Sequence, residues 1–231
     1  MIRVELRPEP PNFEEKVRKP GLRALAELRG APAPSRPGPK RGVKEVIESK
    51  DLPDYWTRCL DDLHEQYRGI CAYSCLYIPH VVGSKTTDHF SAKATKVSSR
   101  VEDAYEWSNY RLACGLMNSR KGTKTIIDPF EIEEGQEWFQ LDLSTMRIFP
   151  NPTLSEELRK RIQGTIDDLA LDDYDCRRAR GNWYQPYLEG KITFSFLEEK
   201  CPFLAAEIVR QLGRPPEWWT PGSAVGRQRS E

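Results

Sequence analysis

Neither sign of charge is in excess in this sequence. Lys and Arg total 35, Asp and Glu total 35, and the formal net charge of the 231-residue chain is zero. Global attraction to a polyanion is therefore excluded, and any such binding has to come from a local patch. Histidine is scarce, with His64, His80 and His89 the three in the chain, so the setting of each carries information. No apolar run approaches the ~20 residues that span a bilayer, and no secretory leader is expected. The six cysteines fall at irregular spacing, which suits reduced thiols better than a disulfide framework. These absences predict a cytoplasmic protein with no membrane partner. No internal repeat is visible.

The residues that are present suggest four parts. Residues 1–50 open on a β-like run, Ile2-Arg3-Val4-Glu5-Leu6, stopped by Pro8, Pro10 and Pro11. Leu22, Leu25, Ala26 and Leu28 predict one short helix, and Pro32, Pro34, Pro37 and Pro39 mark a semi-rigid linker. This part reads as an N-terminal arm that docks on the core or on a partner. Residues 51–152 read as the core. They begin with an amphipathic helix over 52–67, with Pro53 in its first turn, and an apolar strand-like run over 71–78. His64 lies near the apolar face and reads as structural, while His80 follows Pro79 as an accessory candidate. Residues 153–213 read as helical: Ser155 is an N-cap ahead of Leu158, Ile162, Ile166 and Leu169. A second helix is predicted over 174–188, and a third starts near Pro202 and closes at Gly213. Residues 214–231, with Trp218 and Trp219, read as a tail. The fold class is α+β.

The chemistry concentrates between Thr87 and Gly122. Thr86 and Thr87 lead into Asp88-His89-Phe90, and Asn109 to Cys114 alternates with Tyr110, Leu112 and Cys114 on one side. The two runs can pair as antiparallel strands joined by a long basic loop over 91–106. Helical residues resume near Gly115, which puts Asn118 in a helix closed by Lys121-Gly122. Two strands and a helix would gather Asp88, His89, Asn109 and Asn118 at one cleft. Charge is local here. Between residues 84 and 127, Lys85, Lys93, Lys96, Arg100, Arg111, Arg120, Lys121 and Lys124 outnumber Asp88, Glu102, Asp103 and Glu106, a patch suited to phosphate. The next stretch, 128–142, is acidic with no basic residue. Trp138, Phe139 and Leu141 predict a short strand within a solvated hairpin; an acidic flap competing with phosphate is the sharper alternative.

The series Asp88-His89, Asn109, Asn118 resembles the HNH nuclease motif. Gly69-Ile70-Cys71-Ala72-Tyr73-Ser74-Cys75, Tyr105-Glu106-Trp107-Ser108-Asn109 and Asp128-Pro129-Phe130 extend the likeness over 52–152 to HNH nucleases of bacterial anti-phage systems, the Septu type among them. The resemblance implies a ββα-metal core embedded in a mostly helical protein, and metal-dependent hydrolysis of DNA. It implies His89 as the general base, Asn109 as a catalytic residue that orients His89 or the DNA backbone, and Asp88 and Asn118 as ligands of Mg²⁺ or Mn²⁺. Lys85, Lys93, Lys96, Arg120, Lys121 and Lys124 would contact the nucleic acid. The residue types suit the task. A neutral imidazole is a good base near pH 7, and Mg²⁺ prefers oxygen ligands. The third motif position, often His, is Asn118, which still offers an oxygen. The resemblance further implies a defence role and an ATPase partner, with the arm and the acidic segment as restraints on the nuclease. Two other readings stand beside it: a catalytically silent DNA- or partner-binding module, and cleavage of RNA or tRNA by the same site.

Many HNH proteins carry a zinc knuckle of two Cys-x-x-Cys pairs, because four thiolates close a tetrahedral site. Three residues separate Cys71 from Cys75 here, and Met117 stands where Cys114 would have its partner. A thioether is a poor zinc ligand, so structural zinc is not expected. Purified protein should hold well under one zinc per chain and stay folded in chelator. One zinc per chain by elemental analysis, with melting on chelation, would contradict this, since structural zinc contributes roughly 10 kcal/mol or more to folding.

Overall fold

A computed structural model describes residues 1–34, 38–39, 41–93 and 101–216, arranged as two compact units. One unit holds Met1–Val4, Ile70–Tyr77 and the chain from Lys124 onward; the other holds Glu5–Gly69 and Ile78–Thr123. Both mix helices with a small antiparallel pair of strands, an α+β architecture.

The unit with the motif begins at its N-terminal segment. A π-helical turn, Glu14–Arg18, runs straight into helix α1 (Lys19–Leu28); Pro20 has no N–H for the Lys16 carbonyl, which accepts from Arg58 instead. Arg18 fastens the turn, with its guanidinium 2.7 Å from Glu14 and 3.0 Å from Glu106. Phe13 and Val17 are fully buried, as are Ala24, Leu25 and Leu28 along one stripe of α1. The Phe13 ring meets Trp107 and Tyr110 edge-on at 5.6 and 5.8 Å. Gly21 lies so close to Tyr105 that a Cβ would sit 2.2 Å from its ring. Of the two places expected for the N-terminal arm, the core is the one seen: residues 13–28 pack into this unit through Phe13, Val17, Ala24, Leu25 and Leu28. No strand forms over 2–6; Val4 gives one backbone bond, to Pro129, and the prolines that follow cannot extend a ladder.

The helix predicted over 52–67 starts as a 3₁₀ turn, Tyr55–Cys59, and becomes α-helical in α2 (Leu60–Gln66). Strand β1 (Lys85–His89) pairs antiparallel with β2 (Tyr110–Cys114), setting Thr87 opposite Leu112, Asp88 opposite Arg111 and His89 opposite Tyr110. Helix α3 (Gly115–Lys121) follows β2 without a loop and stops at Gly122, whose φ of 49° suits glycine.

The other unit carries a hairpin, β3 (Phe139–Leu141) with β4 (Ile148–Pro150), and helices α4 (Glu156–Asp168), α5 (Tyr174–Leu188), α6 (Phe194–Lys200) and α7 (Pro202–Leu212). Ser155, Asp173 and Thr193 cap α4, α5 and α6 through side-chain oxygens. The buried Arg180 donates to the carbonyls of Met146 and Leu171, and the buried Glu207 accepts from the Leu141 amide. The acidic stretch is tied down locally: Glu131 pairs with Arg161, Glu134 with Arg3 and Glu137 with Arg210. The strand expected over 71–78 is instead a tight turn. Cys75 adopts a left-handed conformation and its amide bonds the Cys71 carbonyl, leaving a single bridge between Ile70 and Tyr77. Among the described residues, no helix is long and apolar enough to cross a membrane.

Burial of Phe13 yields a test. Phe13→Ala should lower the unfolding free energy by about 3–5 kcal/mol, the usual cost of emptying a core phenylalanine site. A urea midpoint equal to that of the wild type would mark this segment as detachable after all.

Candidate functional site

Neighbouring residues on a strand point to opposite faces, and β1 uses both faces. Asp88 and Thr86 face α3. Asn118 of α3 donates from Nδ2 to Thr86 Oγ1 at 3.1 Å, and Lys121 reaches Asp88 Oδ1 at 3.2 Å and the His89 carbonyl at 2.9 Å. This ion pair is almost wholly buried, with 1% of the Lys121 side chain and 3% of Asp88 exposed. His89 points the other way, against Trp56 and Tyr110, whose rings stand edge-on to it at 4.7 and 5.0 Å.

The His89 ring is held through one bond. Nε2 lies 3.0 Å from the Ala104 carbonyl. A carbonyl only accepts, so Nε2 carries the proton and Nδ1 keeps its lone pair. The same carbonyl accepts the Tyr110 hydroxyl at 2.8 Å. Burial, and next Lys93, pull the His89 pKa down to about 3, so the imidazole is neutral at pH 7.

Asn109 closes the frame differently from expectation. Its Oδ1 accepts from the Ser91 amide at 2.7 Å, and its Nδ2 donates to the carbonyls of Ser91 and Asp103 at 3.0 and 2.9 Å. It does not bond His89. It clasps the two ends of the loop that leaves β1, and Asp103 directly precedes the carbonyl that orients His89. Asn109 is a positioning residue.

Asp88, His89 and Asn118 border one cleft of about 230 Å³, with Ser49, Thr87, Ala92, Lys93, Gly122 and Thr123. The donor set fits a hard divalent cation. Asp88 offers a carboxylate, and Asn118, whose nitrogen is committed to Thr86, presents an Oδ1 that takes no hydrogen bond from the described residues. Among the described residues no group of three or more His, Cys, Asp or Glu is placed to hold a metal, so a cation here would rest on this two-oxygen set and water. Cys71 and Cys75 belong to one unit, Cys114 and Met117 to the other.

The basic residues sort sharply. Lys93 lines the cleft, its ammonium 4.0 Å above the Trp56 ring. Lys121 is buried under Asp88 rather than presented to a ligand's backbone, which corrects its reading as a surface contact. Lys85 pairs with Asp61. Arg120 is partly exposed. Lys124 belongs to the other unit and donates to the Asp168 carbonyl at 2.7 Å. Lys96 and Arg100 lie outside the described residues, as do Trp218 and Trp219. His64 is buried, with Nε2 2.8 Å from the Ile78 carbonyl; the His80 ring lies tilted against it at 4.2 Å and does not line the cleft. Sequence reading missed Trp56, Tyr110 and Ala104 as the cradle of His89. Two of these are aromatics that look like any core residue, and the third acts through its carbonyl, which leaves no trace in a sequence.

Lys121→Met would leave Asp88 buried without its cation. A loss of about 3–5 kcal/mol is expected in the absence of divalent metal, measured by urea unfolding in EDTA. A change below about 1 kcal/mol would show that the pair is not what holds α3 to β1.

The chain matches no protein-family model and none of the curated proteins compared with it.

Proposed function

We propose that this protein is a metal-dependent endonuclease of the HNH type, hydrolysing DNA phosphodiester bonds at the cleft between β1 and α3. The observation that carries the reading is the bond from His89 Nε2 to the Ala104 carbonyl. It fixes a neutral imidazole with its lone pair on Nδ1, beside a carboxylate and an amide carbonyl that border the same cleft. The hairpin-helix order of β1, β2 and α3 supports the same reading.

In this reading Asp88 and Asn118 hold Mg²⁺ or Mn²⁺, which when bound would polarise the phosphate and stabilise the leaving oxygen. His89 takes the proton of the attacking water on Nδ1. Its low pKa keeps it unprotonated before the substrate arrives, and the negative phosphate then favours the imidazolium that forms. Tyr110, Trp56 and the Ala104 carbonyl keep the ring from rotating, and Asn109 keeps that carbonyl in place. Lys121 holds Asp88 from below through a 3.2 Å ion pair. The defence role and the ATPase partner are supported by the resemblance in sequence.

The test is nicking of supercoiled plasmid in Mg²⁺ and in Mn²⁺, with EDTA as control and RNA digested in parallel. Wild-type protein should nick DNA, EDTA should stop it, and His89→Ala should slow it on the order of 10²–10⁴-fold while staying folded. Near wild-type nicking by His89→Ala would remove His89 from the chemistry. Cleavage of RNA alone would change the substrate, and no cleavage in either metal would leave a binding module.

A further inference from the structure

We propose that Thr87 and Lys93 form the phosphate-holding side of the cleft, the hydroxyl donating to a non-bridging oxygen of the phosphodiester and the ammonium neutralising it. The inference rests on the nuclease reading and names two residues that its four-residue motif does not contain.

Thr87 is 8% exposed, and its Oγ1 is buried with no hydrogen-bond partner among the described residues. A buried hydroxyl without a partner is costly. The neighbouring Thr86 shows the satisfied alternative on the same strand: its Oγ1 donates to the Ala113 carbonyl at 2.8 Å and accepts from Asn118. Valine has the shape of threonine and suits a strand equally well, so packing alone does not call for a hydroxyl at position 87. Thr87 borders the cleft and shares the strand face of His89, two residues and about 7 Å along. It thus shares the cleft with the proposed base and with Asp88.

Lys93 is the matching charge. Other cations of this unit face carboxylates: Lys85 faces Asp61, Lys121 faces Asp88, Lys44 faces Asp51 and Arg41 faces Glu27. The half-buried Lys93 makes no ion pair among the described residues, and its ammonium stands over the Trp56 ring. A cation–π contact holds an ammonium in place while leaving its charge uncompensated. Burial, opposed by Asp54 and Asp88, lowers its pKa, as expected for a cation short of a counterion. An unsatisfied hydroxyl and an unpaired ammonium on one cleft together ask for an oxyanion.

The experiment is steady-state nicking in Mg²⁺ by Thr87→Val, Thr87→Ser, Lys93→Met and Lys93→Arg, with urea unfolding of each. Thr87→Val should be at least as stable as the wild type, because it removes the unsatisfied group. Its kcat should nevertheless fall by about 10²-fold, the scale for losing one oxyanion donor. Thr87→Ser should restore most of that loss. Lys93→Met should weaken competitive inhibition by inorganic phosphate, and Lys93→Arg should recover it. An active wild type with Thr87→Val equally fast, or with phosphate inhibition unchanged in Lys93→Met, overturns this inference and leaves the nuclease reading standing. A wild type inert on DNA and RNA overturns both.

Discussion

The carbonyl of Ala104 accepts two hydrogen bonds, from His89 Nε2 and from the Tyr110 hydroxyl, and the candidate site depends on it. It decides which nitrogen of His89 carries the proton. It also couples two cross-strand neighbours, since His89 and Tyr110 are paired in the β1–β2 register. Holding a backbone carbonyl at one place requires holding its loop, which Asn109 does through Ser91 and Asp103. The His89 ring is therefore held in one orientation, and the cost of burying a histidine is offset by its being neutral.

The support reaches back to the N-terminal segment. Tyr110, the second donor to Ala104, packs against Phe13, and Tyr105 packs against Gly21 of α1. Trp107 packs on Phe13 as well and donates its indole N–H to the Arg7 carbonyl. The first helix and the motif strands thus share one aromatic core. A regulatory scheme in which the N-terminal segment docks and leaves as a unit does not fit, because its departure would empty that core. On the far side of β1 the buried pair of Lys121 and Asp88 plays the corresponding part. A buried ion pair adds little net stability compared with apolar packing, but losing one partner would leave the other buried and unpaired, so the two fix α3 on β1 together.

The legible parts of the sequence were those in which local signals agree with one another. Alternation over residues 86–90 and 109–114, with helix formers and Gly122 after them, pointed to the two strands and α3, which the structure sets at 85–89, 110–114 and 115–121. Ser155, Pro202 and Gly213 marked helix ends that the structure retains. The misread parts depend on distant partners. Nothing local shows that Phe13 meets Trp107, about ninety residues away. The run over 71–78 is apolar enough for a strand, but Cys75 turns left-handed and closes it. Helix α6 escaped notice although Thr193 caps it, because seven residues carry too short a stripe to be read. At the site, Asp88, His89 and Asn118, which residue types had grouped, border one cleft. They did not reveal that Asn109 bonds the loop rather than the base, that Lys121 is buried, or that Thr87 lacks a partner.

The proposed function requires Asp88 and Asn118 together to hold one divalent cation in the cleft that His89 borders. Its most direct measurement is Mn²⁺ binding to the purified chain, followed by electron paramagnetic resonance of the free ion. The account predicts one bound Mn²⁺ per chain, lost in Asp88→Ala and weakened in Asn118→Ala, with both variants folded in EDTA. Binding that is absent in the wild type, or unchanged in Asp88→Ala, would contradict it.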